Sequence, residues 1–221
     1  MSKAREALAQ QLAEAVFQAL TDDLNHQERV LLVVSGGSTP VPFFQALAAK
    51  PLPWSRIDIT LADERWVDEQ SSDSNARLVR EHLLQGSAAD ANFIPLTCNT
   101  KTPEEGVEEI AKRTAGLAWP ASVVILGMGS DGHTASLFPD SQELGLALAT
   151  DEPLVAVRTP SQPQPRITFA AGKLHQAYRH ILHITGEDKR AVLASALSGD
   201  DVRQLPIRAF LSCPLAIYWA P

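Results

Sequence analysis

Residues 123–139 read VVILGMGSDGHTASLFP: an apolar run stops abruptly at three glycines, an aspartate and a histidine. A short apolar run bounded by glycine fits a buried strand, and the polar cluster after it sits where a parallel strand gives way to a helix. Sheets of that kind gather their ligands at the carboxyl ends of the strands, so this stretch constrains both the architecture and the place to look for chemistry. Pro139 limits a helix starting after Gly132 to about two turns.

The rest of the chain repeats the pattern. Residues 3–20 place Ala4, Leu8, Leu12, Ala15, Val16, Ala19 and Leu20 at helical spacing, which predicts an amphipathic helix. Strands are expected at 30–34, 57–62, 154–157 and 180–185, with a last one in the LAIYWA run. Helices are expected at 40–49, at 75–84 with Ser74 as N-cap, at 102–117 behind a Thr102/Glu105 capping box, and at 187–197. Strands alternating with helices predict an α/β fold. Its expected form is a Rossmann-like three-layer sandwich, a mostly parallel sheet with helices on both faces, built as a single domain over residues 1–221.

Composition narrows the partners. With 45% hydrophobic and 20% charged residues among 221, the chain has the balance of a soluble globular protein. A net charge of -7 without any Lys/Arg block argues against nucleic acid and anionic membrane, so a small anionic ligand requires a local convergence of basic groups. Cys98 and Cys213 lack CxxC spacing and read as unpaired thiols. The charged opening segment lacks the apolar core of a signal peptide, and no run approaches the roughly 18 residues of a membrane span. The expected location is the cytoplasm. Oligomeric state is not legible, and a monomer is favoured.

Three further segments carry candidate anion-binding groups. In SGGSTP, Ser35, Gly36, Gly37, Ser38 and Thr39 bring backbone N–H groups, two glycines and hydroxyls to a helix start, the donor set a phosphate requires. A tight turn with a hydroxyl cap fits the same residues. Asp63, Glu64 and Arg65 follow the second strand, as a solvated loop or as site residues at a strand's carboxyl end. Arg166 closes the proline-rich TPSQPQP loop, either as part of a lid on an anion or as a surface arginine. Lys189 in the first turn of a helix opposes the helix dipole unless an anion is present.

The glycine stretch meets several familiar patterns and fails them. Gly127, Gly129 and Gly132 satisfy GxGxxG, but a dinucleotide fold needs a full helix afterwards and Pro139 interrupts it. As a P-loop the stretch has His133 where the phosphate-binding lysine belongs. No serine sits in GxSxG. What remains is Asp131 and His133 flanking Gly132, a histidine suited to general base work beside a carboxylate able to fix its tautomer. His180 and His183 lie three apart in an alternating strand and face opposite sides, which leaves no zinc spacing and no metal expected.

SGGSTP (35–40), LADERWV (61–67), DSNARLVREHLL (73–84), GMGSDGHTASLFP (127–139), PRIT (165–168) and GEDKR (186–190) together resemble, in order, the 6-phosphogluconolactonase family. The resemblance spans nearly the whole chain. It implies hydrolysis of 6-phospho-D-glucono-1,5-lactone to 6-phosphogluconate, a step of the oxidative pentose phosphate pathway, without metal or cofactor. It also implies that His133 is the catalytic base. The SGGST loop, Arg65, Arg166 and Lys189 match groups around the substrate phosphate and hydroxyls, while Asp63 and Asn75 fall in family motifs. Asp68 departs from the proline of many relatives, and only a local loop change is expected there. The related glucosamine-6-phosphate deaminases carry a glutamate five residues after the histidine. Phe138 stands at that position here and cannot exchange protons. A non-catalytic sugar-phosphate sensor on the same kind of domain would need an output module, and no basic DNA-reading segment is present.

Overall fold

The computed structural model describes residues 2–221. Along the chain come α1 (Lys3–Leu24), β1 (Val30–Val34), α2 (Val41–Ala48), β2 (Ile57–Leu61), β3 (Asp63–Arg65) and α3 (Asn75–His82). There follow β4 (Asn92–Ile94), α4 (Pro103–Thr114), β5 (Val123–Leu126), α5 (Leu144–Ala149), β6 (Leu154–Val157) and β7 (Arg166–Phe169). The chain ends with α6 (Ala171–Leu174), β8 (His180–Thr185), α7 (Glu187–Leu197), α8 (Arg208–Leu211) and β9 (Leu215–Ala220).

Six strands form one sheet in the order β4-β2-β1-β5-β8-β9, and every neighbouring pair is parallel. The continuous apolar runs of β1 and β5 are buried at every position, as strands covered on both faces must be, and β2 is buried throughout as well, its Asp58 and Thr60 included. Edge strand β9 is open by comparison, with Ile217 43% exposed. Helices flank the sheet. The stripe of α1 buries Leu8, Leu12, Val16 and Leu20, as its spacing predicts. From β1 the chain winds outward through β2 to β4, and from β5 it winds the other way through β8 to β9. Strand order therefore reverses between β1 and β5, and a crevice opens beyond their carboxyl ends.

Two sequence expectations are corrected. A second, antiparallel sheet, β3-β7-β6, claims residues read above as loop: Asp63–Arg65 pairs with Arg166–Thr168. Ala62 joins the sheets, its N–H donating to Val34 O at 2.8 Å and its carbonyl accepting from Phe169 N at 3.0 Å. A charged strand of three residues has too little length for an alternating pattern to show. The expected helix after Gly132 does not form. Instead Thr134 Oγ1 donates to Gly127 O at 2.8 Å, Leu137 N donates to Thr134 O at 3.0 Å, and Ala135 takes a left-handed φ of 48°. Side-chain and turn bonds here satisfy the backbone that a helix would otherwise have paired.

Candidate active site

A cavity of about 330 Å³ occupies the crevice, walled by the loops after β1, β5 and β8 together with β3 and Arg166. That volume suits a small ligand. The β1 loop enters it with Gly36, Gly37, Ser38 and Thr39 ahead of α2. Ser35 is spent otherwise: its Oγ donates to Ile125 O at 2.8 Å and accepts from Gly127 N at 3.1 Å, stapling the two crevice loops together. Gly36 has to lack a side chain, because a Cβ would lie 1.8 Å from Asn75 Oδ1. Asn75 in turn holds its place by donating from Nδ2 to Asp63 O at 3.1 Å.

The β5 loop presents His133. Its Nδ1 lies 2.6 Å from Asp131 Oδ1, and the same carboxylate oxygen accepts the His133 backbone N–H at 3.1 Å. One oxygen thus fixes both the ring and the chain that carries it. Gly129 supplies the space, since a Cβ there would come within 2.2 Å of His133 Nδ1. Burial pushes the Asp131 carboxyl up, but the His133 hydrogen bond and charge outweigh it and leave its pKa below the ordinary value. Phe138 lies beneath the imidazole at 4.1 Å between ring centroids. The pair leaves Nε2 as the ring nitrogen available to the cavity, which His133 lines.

The β3 wall is built differently. Asp63 and Arg166, each 6% exposed, pair at 3.4 Å, and Asp63 Oδ2 also accepts from the buried Ser136 hydroxyl. Arg166 lies over the Phe138 ring, its guanidinium carbon 5.1 Å from the centroid. Burial lowers the Arg166 pKa, with Asp63 opposing and Arg65 adding to the effect. Arg65 and Arg166 are directly opposed across the antiparallel ladder, and the Nε atom of each is buried without a partner. Like charges so opposed are unfavourable. An anion between them would relieve the repulsion.

Glu64, fully buried, anchors this wall from behind. Its carboxylate accepts from Arg65 N and Asn75 N at 2.8 Å, from Ala76 N at 2.7 Å and from Ser74 Oγ at 3.3 Å. It sits at the first turn of α3, where the dipole favours negative charge. Burial nonetheless raises its pKa, the backbone hydrogen bonds opposing. On the far wall, Lys189 enters from the first turn of α7, with Asp188 Oδ2 as a distant neighbour at 3.9 Å.

Of the candidates from the sequence, Gly36, Gly37, Ser38, Thr39, Asp63, Arg65, Asn75, His133, Arg166 and Lys189 line this cavity, and so does Ser35. Asp131 stands behind His133 and reaches the cavity only through it. Sequence reasoning passed over Gln162, weighed His183 only as a metal ligand, and offered Glu64 as a site residue without its anchoring role. Glu64 binds a helix start eleven residues away, a relation that no local spacing encodes. Gln162 lies in the proline-rich loop and accepts from Arg166 Nη2 at 3.4 Å. His183 could have been found from the alternation of β8, which turns it to the same face as Thr185. His180 faces away and bonds Leu174 O at 3.0 Å through Nε2. Asp68 makes a small turn of its own, its Oδ1 accepting from Gln70 N at 2.8 Å.

A sequence profile described as glucosamine-6-phosphate isomerases/6-phosphogluconolactonase matches residues 3–219. The chain belongs to this family. Among its relatives, the 6-phosphogluconolactonase of Pseudomonas aeruginosa is 46% identical over 215 residues, covering 96% of this chain and 90% of the relative. That of Rhizobium meliloti is 42% identical, covering 97% and 95%. The crystal structure of a 6-phosphogluconolactonase from Shewanella baltica superposes with a TM-score of 0.98 at 42% identity, covering 100% of this chain and 96% of that one. No helix among the described residues is long and apolar enough to cross a membrane.

Proposed function

We propose that the protein hydrolyses 6-phospho-D-glucono-1,5-lactone to 6-phospho-D-gluconate. The observation that carries this reading is one cavity with a carboxylate-held histidine on one wall and Arg65, Arg166 and Lys189 on the others. Family membership and relatives bearing the lactonase name support it.

The substrate is an activated ester with a phosphate remote from the reacting carbon. The SGGST loop, Lys189 and Arg65 hold the phosphate and hydroxyls, so that remote binding energy positions C1. Asp131 keeps the His133 proton on Nδ1, which leaves Nε2 bare to take a proton from water. That water's oxygen bonds to C1 and the carbonyl electrons move onto the oxyanion. The Arg166 guanidinium, aligned by Asp63, supplies positive charge for it. When the tetrahedral intermediate collapses, the bond from C1 to the ring oxygen breaks and the imidazolium returns its proton to that oxygen. The products are one carboxylic acid and one free hydroxyl on an opened chain. Deaminase chemistry would need an acid at position 138, where Phe138 is buried against both His133 and Arg166.

The decisive measurement compares freshly made phosphorylated and unphosphorylated gluconolactone, with spontaneous hydrolysis subtracted. The expected result is a preference of roughly 10²-fold or more in kcat/KM for the phosphorylated lactone. Equal values for the two would overturn the reading.

A further inference from the structure

The mechanism above leaves one buried ionisable group of the cavity without a task. His183 and Thr185 are two apart on β8 and share a face. Thr185 Oγ1 meets Thr39 Oγ1 at 3.5 Å, which aims that face at the SGGST loop. The His183 ring stands edge-on to Phe43 in the first turn of α2, with centroids 6.1 Å apart at 79°. Both His183 and Thr185 line the cavity together with Lys189.

The ring's two nitrogens are not equivalent. Nδ1, and not Nε2, is sealed from solvent without a hydrogen-bond partner. A neutral imidazole carries a single N–H. Nδ1 finds no partner in either tautomer, so only a proton on Nε2 can meet a ligand. Burial pushes the His183 pKa down to about 4, so the ring is uncharged at neutral pH. Arg65, Arg166 and Lys189 already crowd the cavity with positive charge. A neutral donor adds a hydrogen bond there without adding to that repulsion.

We propose that His183 is a ligand-binding residue, whose Nε2–H donates to a phosphoryl oxygen held between the SGGST loop and Lys189. The proposal rests on the ligand being the phosphorylated sugar of the preceding section, but not on any step at C1.

Two measurements test it. In isotope-labelled protein, the nitrogen resonances of His183 should report Nε2 protonated and Nδ1 bare, and titration with inorganic phosphate should shift the Nε2–H signal. In kinetics, His183→Phe should raise KM for the phosphorylated lactone about tenfold, with a smaller fall in kcat and no change in KM for the unphosphorylated lactone. His183→Asn, which restores an N–H donor, should recover part of the loss. A proton on Nδ1, no response to phosphate, or an equal KM change on both lactones overturns the proposal. Should the unaltered protein turn over neither lactone, the proposed reaction fails, and the phosphate titration alone still decides for or against His183.

Discussion

Two carboxylates meet a partner side chain at this cavity, one an imidazole and the other a guanidinium, and the two pairs are built to opposite specifications. Asp131 and His133 lie on a loop, 2.6 Å apart, with side chains 38% and 26% exposed. Asp63 and Arg166 lie on a strand ladder, 3.4 Å apart, with side chains 8% and 7% exposed. The first pair contains an imidazole, a side chain suited to general base work, and leaves it open to water. The second contains a cation that holds its proton throughout, locked behind Ser136 and Phe138. Proton transfer needs access, whereas charge stabilisation needs a fixed dry dipole. Phe138 serves both, lying under His133 on one side and Arg166 on the other.

This contrast predicts that losing a member of the exposed pair lowers rate with the fold intact, whereas losing one of the buried pair also costs stability. The largest effect is expected from His133→Ala, which should lower kcat by about 10² or more while inorganic phosphate still binds. Turnover near that of the unaltered protein, after subtraction of spontaneous hydrolysis, would remove His133 from the reaction. Next comes Asp63→Ala, which leaves Arg166 buried with no counter-charge and Ser136 without its acceptor. The expected loss is about 3–5 kcal/mol of unfolding free energy, read from denaturant midpoints. A loss below about 1 kcal/mol, the range of exposed pairs, would mean that the two assemblies do not differ as described.

The same contrast marks how far the sequence could be read. Asp131 and His133 are two residues apart, so their pairing is visible as a local motif. The β1 loop is legible for the same reason, because an apolar strand, two glycines and hydroxyls follow one another directly. The buried wall is not legible in this way. Asp63 meets Ser136 and Arg166 from 73 and 103 residues away, and Glu64 meets α3 from another element. Such partners are set by β3 and β7 pairing, and β3 is too short and too charged for its strand character to show. The helix expected after Gly132 fails for a related reason. Thr134 and Ser136 are bound to Gly127 O and Asp63, bonds that local propensity does not report.

The smallest effect concerns acid, and it separates the two carboxylates most finely. The Asp131 pKa is held below the ordinary value in the folded chain by His133, against the opposing push of burial. A carboxyl so lowered binds fewer protons folded than unfolded, so unfolding takes up protons and stability rises with pH across the interval between the two pKa values. Its contribution is whole above the unfolded value of about 3.9 and is lost as pH falls through the folded one. With Asp131 38% exposed, solvent screening keeps that contribution under about 1 kcal/mol. Asp131→Asn should therefore lower the unfolding midpoint slightly at neutral pH, by no more than that contribution, and flatten its decline in acid. The Asn amide also cannot hold the His133 ring as a carboxylate does, so kcat should fall while the fold stays intact. Acid limbs of equal steepness in the two proteins, together with unchanged kcat, would show that Asp131 neither aligns His133 nor gains from it.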